Sequence, residues 1–131
     1  MRSILILCLS LGLAIGNLIT GTTTRQSTTW GPYTSQYAAD GNVLAKLYYA
    51  HTNGDQGFWE ATFPTETTVR SILMAITDEC CTARNVFKVS VGNSQPPSAN
   101  PVCVSININS GAFSCSSALT GRYLGVFNQA P

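Results

Sequence analysis

The chain has 131 residues, enough for one domain of ordinary size. Charged residues make up 10% of it and the formal net charge is +1, so it carries no basic field to attract nucleic acid or anionic lipid. With 44% hydrophobic residues and aromatics spread throughout, the composition is not that of a disordered chain, and its Ser, Thr, Asn and Gly suit a loop-rich extracellular domain.

Met1-Arg2 gives a basic start, and an apolar run from Ile4 to Gly16 follows, with small residues at Ala14 and Gly16. This pattern reads as a secretory signal peptide over residues 1–16, followed by a single domain over 17–131. The run is shorter than the ~20 apolar residues that a membrane-spanning helix needs, and no later run is long enough, so no membrane insertion is expected. Removing the leader takes away Arg2 and Cys8, which leaves six basic and six acidic residues and an even set of cysteines: Cys80, Cys81, Cys103 and Cys115. In a secreted chain an even set implies two disulfides, with three pairings open.

The segment from Asn17 to Ser27 is polar and Thr-rich, and reads as an extended edge strand. Trp30-Gly31-Pro32-Tyr33 is a turn with two aromatics, where Gly and Pro forbid regular structure. Trp30 there is either a ligand-contacting aromatic or a cap on the end of a core. Tyr37 to Asn42 forms a second turn, with Asp, Gly and Asn as turn residues. Asp40 and Asn42 also have oxygen atoms that calcium accepts. Leu44 to Tyr49 is apolar, and the loop after it holds the sole histidine, His51. One histidine without a carboxylate cluster or a second histidine argues against a transition-metal site and removes the usual general base of a triad.

Phe58 to Phe63 is strand-like and is closed by Pro64. Thr67 to Thr77 is the longest apolar run, β-branched, and reads as a buried strand. Val86 to Val91 alternates with period two, with Phe87, Val89 and Val91 on one side. A Pro-rich connection runs from Ser94 to Pro101. Val102 to Ile108 and Ala112 to Cys115 read as a hairpin, whose flanking Cys103 and Cys115 could bond across the turn. Tyr123 to Phe127 is a last strand. Many short strands between turn residues indicate an all-β sandwich or jelly roll.

The remaining feature is Cys80-Cys81, followed three residues on by Arg84. Either the two cysteines join each other, or each enters a separate disulfide. A bond between neighbours closes a minimal loop, is strained, and adds little stability. Such a ring shapes a site better than it holds a fold.

Taken in order, several segments carry a resemblance: Asn17-Leu18-Ile19, Gln26-Ser27-Thr28-Thr29, Ala39-Asp40-Gly41-Asn42, His51-Thr52-Asn53, Phe58-Trp59, Cys80-Cys81-x-x-Arg84, Phe87 to Asn93 and Gly121-Arg122-Tyr123. Together they make the chain similar to the fucolectins, or F-type lectins, within the discoidin-like, galactose-binding-domain superfamily. The resemblance implies a discoidin-like sandwich and a shallow L-fucose pocket. It carries over His51 and Arg84 as hydrogen-bonding residues and a Cys80–Cys81 disulfide as the apolar wall, with Cys103–Cys115 as the second pair. A guanidinium offers several donors in a rigid fork, which suits hydroxyls held in fixed directions. The chain departs from the family where a second arginine would stand, at Thr77, and where an aspartate would stand, at Glu79, so the resemblance implies a sugar site at which Thr77 and Glu79 bring either an altered specificity or a loss of activity. Asp40 and Asn42 match the family's calcium turn, while the family's final C-terminal strand has no counterpart before Pro131. The expectation is therefore a secreted, non-catalytic lectin for fucosylated glycans, with calcium as its metal and self-association as its route to avidity. The alternative is a discoidin-like adhesion module without sugar affinity.

Overall fold

A computed structural model of the chain describes residues 6–8, 19–20, 22–41, 49–53, 57–75, 86–107 and 111–128. Among these residues six strands form in chain order: β1 (Ile6–Cys8), β2 (Thr23–Gln26), β3 (Phe58–Ala75), β4 (Val86–Gly92), β5 (Val102–Asn107) and β6 (Gly111–Asn128). Short 3-10 turns occupy Ser35–Ala38 and Pro97–Ala99. All pairing is antiparallel in the order β1-β3-β6-β4-β5, with β2 added to β3. The all-β expectation holds, and β2 is the edge strand anticipated for the N-terminal segment. β1 falls within the expected leader and pairs with Leu73 to Ala75.

The architecture rests on β3 and β6, each 18 residues long. The first half of β3 pairs with the second half of β6 (Phe58 with Phe127), and the second half with the first (Met74 with Gly111). Here the structure corrects the sequence reading, which ended a strand at Pro64. Pro64 lies inside β3, in the register break between Thr62 and Thr67. Proline has no N–H to give to a ladder, and a break is where a strand tolerates it. A second break, between Val69 and Ser71, resets which side chains face inward. Before it Trp59, Ala61, Phe63 and Val69 are buried; after it Ile72 and Met74 are, while Leu73 is exposed. A one-residue irregularity exchanges the two faces in just this way.

The expected hairpin between residues 102–108 and 112–115 is also corrected. β5 pairs with β4, and the start of β6 pairs with β3. Cys103 and Cys115 are nonetheless joined, with their Cα atoms 4.4 Å apart. Because the second half of β6 is the ladder neighbour of β4, this bond ties the far edge strand back over the first half of β6. The sheet is thereby rolled into two layers. Between them lie Trp59, Phe63, Ile72, Met74, Phe87, Val89, Val91, Ile106, Leu124 and Val126, all at most 1% exposed. In β4 the period-two reading holds, with Phe87, Val89 and Val91 inward.

Candidate functional site

Backbone and side-chain bonds zip the loops at the start of β3 together. Ser27 N–H donates to Phe58 O at 2.9 Å, and Phe58 N–H donates to Ser27 Oγ at 3.0 Å. One step further out, Thr28 Oγ1 donates to Asn53 O and accepts from Asn53 N–H. Trp30 N–H donates to His51 O at 3.0 Å, and His51 N–H donates to Tyr33 O at 3.2 Å. Gln26, at the end of β2, reaches under both loops. Its Nε2 lies within hydrogen-bond distance of Thr29 Oγ1, Tyr33 O and His51 O, at 2.8, 3.0 and 3.1 Å. Gly31 makes the sharp turn at φ +57°, a conformation that residues with a Cβ rarely adopt.

This bracing gathers four rings. Trp30 and Tyr33 stack at 5.6 Å with 7° between their planes, and Tyr33 and Tyr49 stack at 4.5 Å and 15°. The His51 ring tilts against all three, nearest to Trp30 at 5.0 Å. Exposure falls steeply through the group, from 36% at Trp30 to 5% at Tyr49 and 0% at His51. The Trp30 indole is thus exposed while it also packs over buried rings. The Trp59 indole N–H donates to Ser35 O at 2.9 Å, which pins the loop after Tyr33 onto the core.

His51 Nδ1 lies 2.7 Å from Thr52 O. A carbonyl only accepts, so Nδ1 carries the proton and Nε2 is left as an acceptor. Burial holds the imidazole below its ordinary value, against the opposing pull of the Thr52 carbonyl. A neutral, tautomer-fixed imidazole is suited to directed hydrogen bonding.

The other site residues are distributed as follows. Asp40 is exposed, beside Gly41 at φ +82°, which is the turn conformation expected there. Among the described residues no group of three or more His, Cys, Asp or Glu side chains gathers. Asn42, Thr77, Glu79, Cys80, Cys81 and Arg84 lie outside the described residues. Sequence reasoning singled out Trp30 and His51 but not their bracing by Gln26, whose partners are backbone atoms of loops distant in sequence. It also missed the ion pair between Arg25 Nε and Glu60 Oε1, whose partners lie on neighbouring strands.

By sequence, neither a protein-family model nor a curated protein matches the chain. By structure, solved proteins do. A fucolectin from striped bass (Morone saxatilis) serum aligns at TM-score 0.72 with 23% identity, over 81% of this chain and 41% of its own length. The chain thus spans less than half of that protein. A fucose-binding module of Streptococcus pneumoniae aligns at TM-score 0.69 with 19% identity, over 86% of this chain and 83% of the module. A chitosan-binding module from a chitosanase/glucanase of Paenibacillus sp. aligns at 0.67 with 18% identity, over 88% and 87%. The fold is the discoidin-like β-sandwich.

Proposed function

We propose that the chain is a secreted, non-catalytic carbohydrate-binding module that recognises L-fucose or a related glycan terminus. One observation carries the reading: an exposed indole, Trp30, is stacked and braced above a buried, neutral His51 at a loop-bearing end of the sandwich. A rigid aromatic face of this kind suits the apolar face of a sugar ring, and its immobility lowers the entropy cost of binding. The structural likeness to modules named for binding fucose supports the same reading. In it, Arg84 supplies donors to hydroxyls, the Cys80–Cys81 disulfide walls the pocket, and Thr77 and Glu79 tune which hydroxyls are accepted. His51, being buried, fixes the geometry of the loop from beneath. Calcium, held by Asp40 and Asn42, would stabilise the neighbouring turn, and chelation would then lower the melting temperature.

The test is retention on fucose-agarose, with elution by free fucose. Trp30→Ala and Arg84→Ala are each expected to abolish retention while the circular dichroism spectrum stays unchanged. Failure of the folded protein to be retained overturns the fucose assignment. The likeness to a chitosan-binding module favours one second reading, a module for another sugar. A glycan array on which fucosylated glycans are silent and another glycan binds would establish it.

A further inference from the structure

A cavity of about 200 Å³ opens beside the ends of β3 and β6, lined by Phe58, Phe127, Asn128, Pro96, Pro97 and Ser98. It faces away from the core. Successive side chains of a strand point to opposite faces, so Trp59 turns toward Ser35 while Phe58 and Glu60 turn the other way. Phe58 and Phe127 are direct partners across the ladder and form one aromatic wall. The opposite wall is the loop after β4, and it is fixed. Ser90 Oγ donates to Pro97 O at 2.7 Å, and Asn100 clasps Ser94 with bonds of 2.9 and 2.7 Å. Gly125 lets this loop lie flat on β6, since a Cβ there would run into Pro97.

Arg25 stands beside the cavity, over Phe58. Its guanidinium carbon sits 5.0 Å from the centre of the Phe58 ring. Nε donates to Glu60 Oε1 at 2.7 Å, and Gln95 Nε2 donates to the same oxygen at 2.6 Å. The Arg25 side chain is 48% exposed, and its two terminal nitrogens take no part in the Glu60 bond. The guanidinium is thus held in position before any ligand arrives, and its charge is already balanced by a fully buried carboxylate.

We propose that this cavity is a second carbohydrate site, separate from the Trp30 loops. It takes one neutral pyranose ring, with the apolar face of the sugar on Phe58 and Phe127, its hydroxyls toward Ser98 and Asn128, and Arg25 alongside. Glu60 makes the ligand neutral: an incoming carboxylate would meet a cation already paired, with a second negative charge beside it. Hydroxyls need only the donors that the guanidinium still offers. A domain with a site on either side of β3 gains avidity on a branched glycan without oligomerising.

Amide nitrogen–proton NMR spectra of the protein, titrated with methyl α-L-fucopyranoside, methyl β-D-galactopyranoside and D-glucuronate, test this. One neutral glycoside is expected to shift the amides of Gly57, Phe58 and Ser98 saturably, and glucuronate to shift them less. Ser98→Trp fills the cavity from an exposed position without touching the Arg25–Glu60 pair, and should weaken that binding at least about tenfold. Trp30→Ala should leave it unchanged, so this site and the loop site fail independently. Shifts confined to residues 28–34 and 49–53, a stronger response to glucuronate, an unaltered titration in Ser98→Trp, or no response to either glycoside would each overturn the proposal.

Discussion

Arg25 Nε stands 2.7 Å from Glu60 Oε1, joining a side chain that is 48% exposed to one that is 0% exposed. The two residues are also register partners, so the ion pair fastens the edge strand β2 to β3 at the point where their backbones already meet. Hydrogen bonding to Glu60 is the main reason the Arg25 guanidinium holds its proton even more firmly than usual. Glu60 Oε2 is buried without a hydrogen-bond partner, so the carboxylate depends on what reaches Oε1. Arg25→Ala should therefore destabilise the fold by about 1.5 kcal/mol, near the low end for a charged hydrogen bond because water screens the half-exposed guanidinium. Glu60→Gln keeps an oxygen for both donors, buries no charge, and should cost less. Urea unfolding midpoints of the two variants check the order, and a larger loss in Glu60→Gln would refute it.

His51 predicts a direction of pH dependence. Burial depresses its folded-state pKa below the ordinary 6.5. At acidic pH the unfolded chain therefore binds a proton that the folded chain refuses, and stability rises with pH across that range. The contribution is fully present above about pH 6.5 and is lost as pH falls through the folded-state value. Thermal unfolding between pH 5 and 8 should show this decline, and His51→Gln should flatten it. A wild-type profile that is level across this range would show that the imidazole is not desolvated.

Gly121 and Gly111 lie on the same strand and should respond differently to alanine. A Cβ at Gly121 would collide with the backbone of Gly92, which cannot swing aside as a side chain could. A Cβ at Gly111 would meet only Phe113, at 3.6 Å. Gly121→Ala should cost on the order of 1–3 kcal/mol as an overpacking change. Gly111→Ala should be nearly neutral. Equal losses in the two variants would mean that β6 does not pass close to β4 at Gly92.

The Cys103–Cys115 bond spans 12 residues of sequence. Closing a loop of that size restricts the unfolded chain by roughly 3 kcal/mol. The double substitution Cys103→Ala with Cys115→Ala should lower the unfolding free energy by about that amount. Because the two sites are bridged, either single variant should lose nearly as much as the double. Additive losses would show that the cysteines contribute by packing alone.

The all-β class, the edge strand, the strand at residues 86–92 and the turn at Gly41 were legible because each is written in local pattern: period two, β-branching, or a residue that tolerates positive φ. The pairing scheme was not. Pro64 looked like the end of a strand because proline usually is one, and only the absence of a ladder partner at that point lets β3 continue. The apparent hairpin around Asn109 failed because sequence proximity does not decide pairing once the sheet rolls. At the candidate site the exposed Trp30 and the buried His51 could be named in advance. Gln26 could not, because what it touches is backbone, and the backbone of a loop carries no signature in its side chains.

The reliance of both layers on β3 and β6 has a consequence for how the protein comes into being. The innermost ladder pair is Met74 with Gly111 and the outermost is Phe58 with Phe127, so every contact of this central pair bridges a long intervening chain. No part of it can be nucleated locally, and the cost of closing the loop comes before the ladder gives anything back. A chain emerging from the ribosome can pair β3 with β1 and β2, which precede it, but the side of β3 that takes β6 stays open until β6 is made. Closure of this central ladder is therefore expected to come late in assembly.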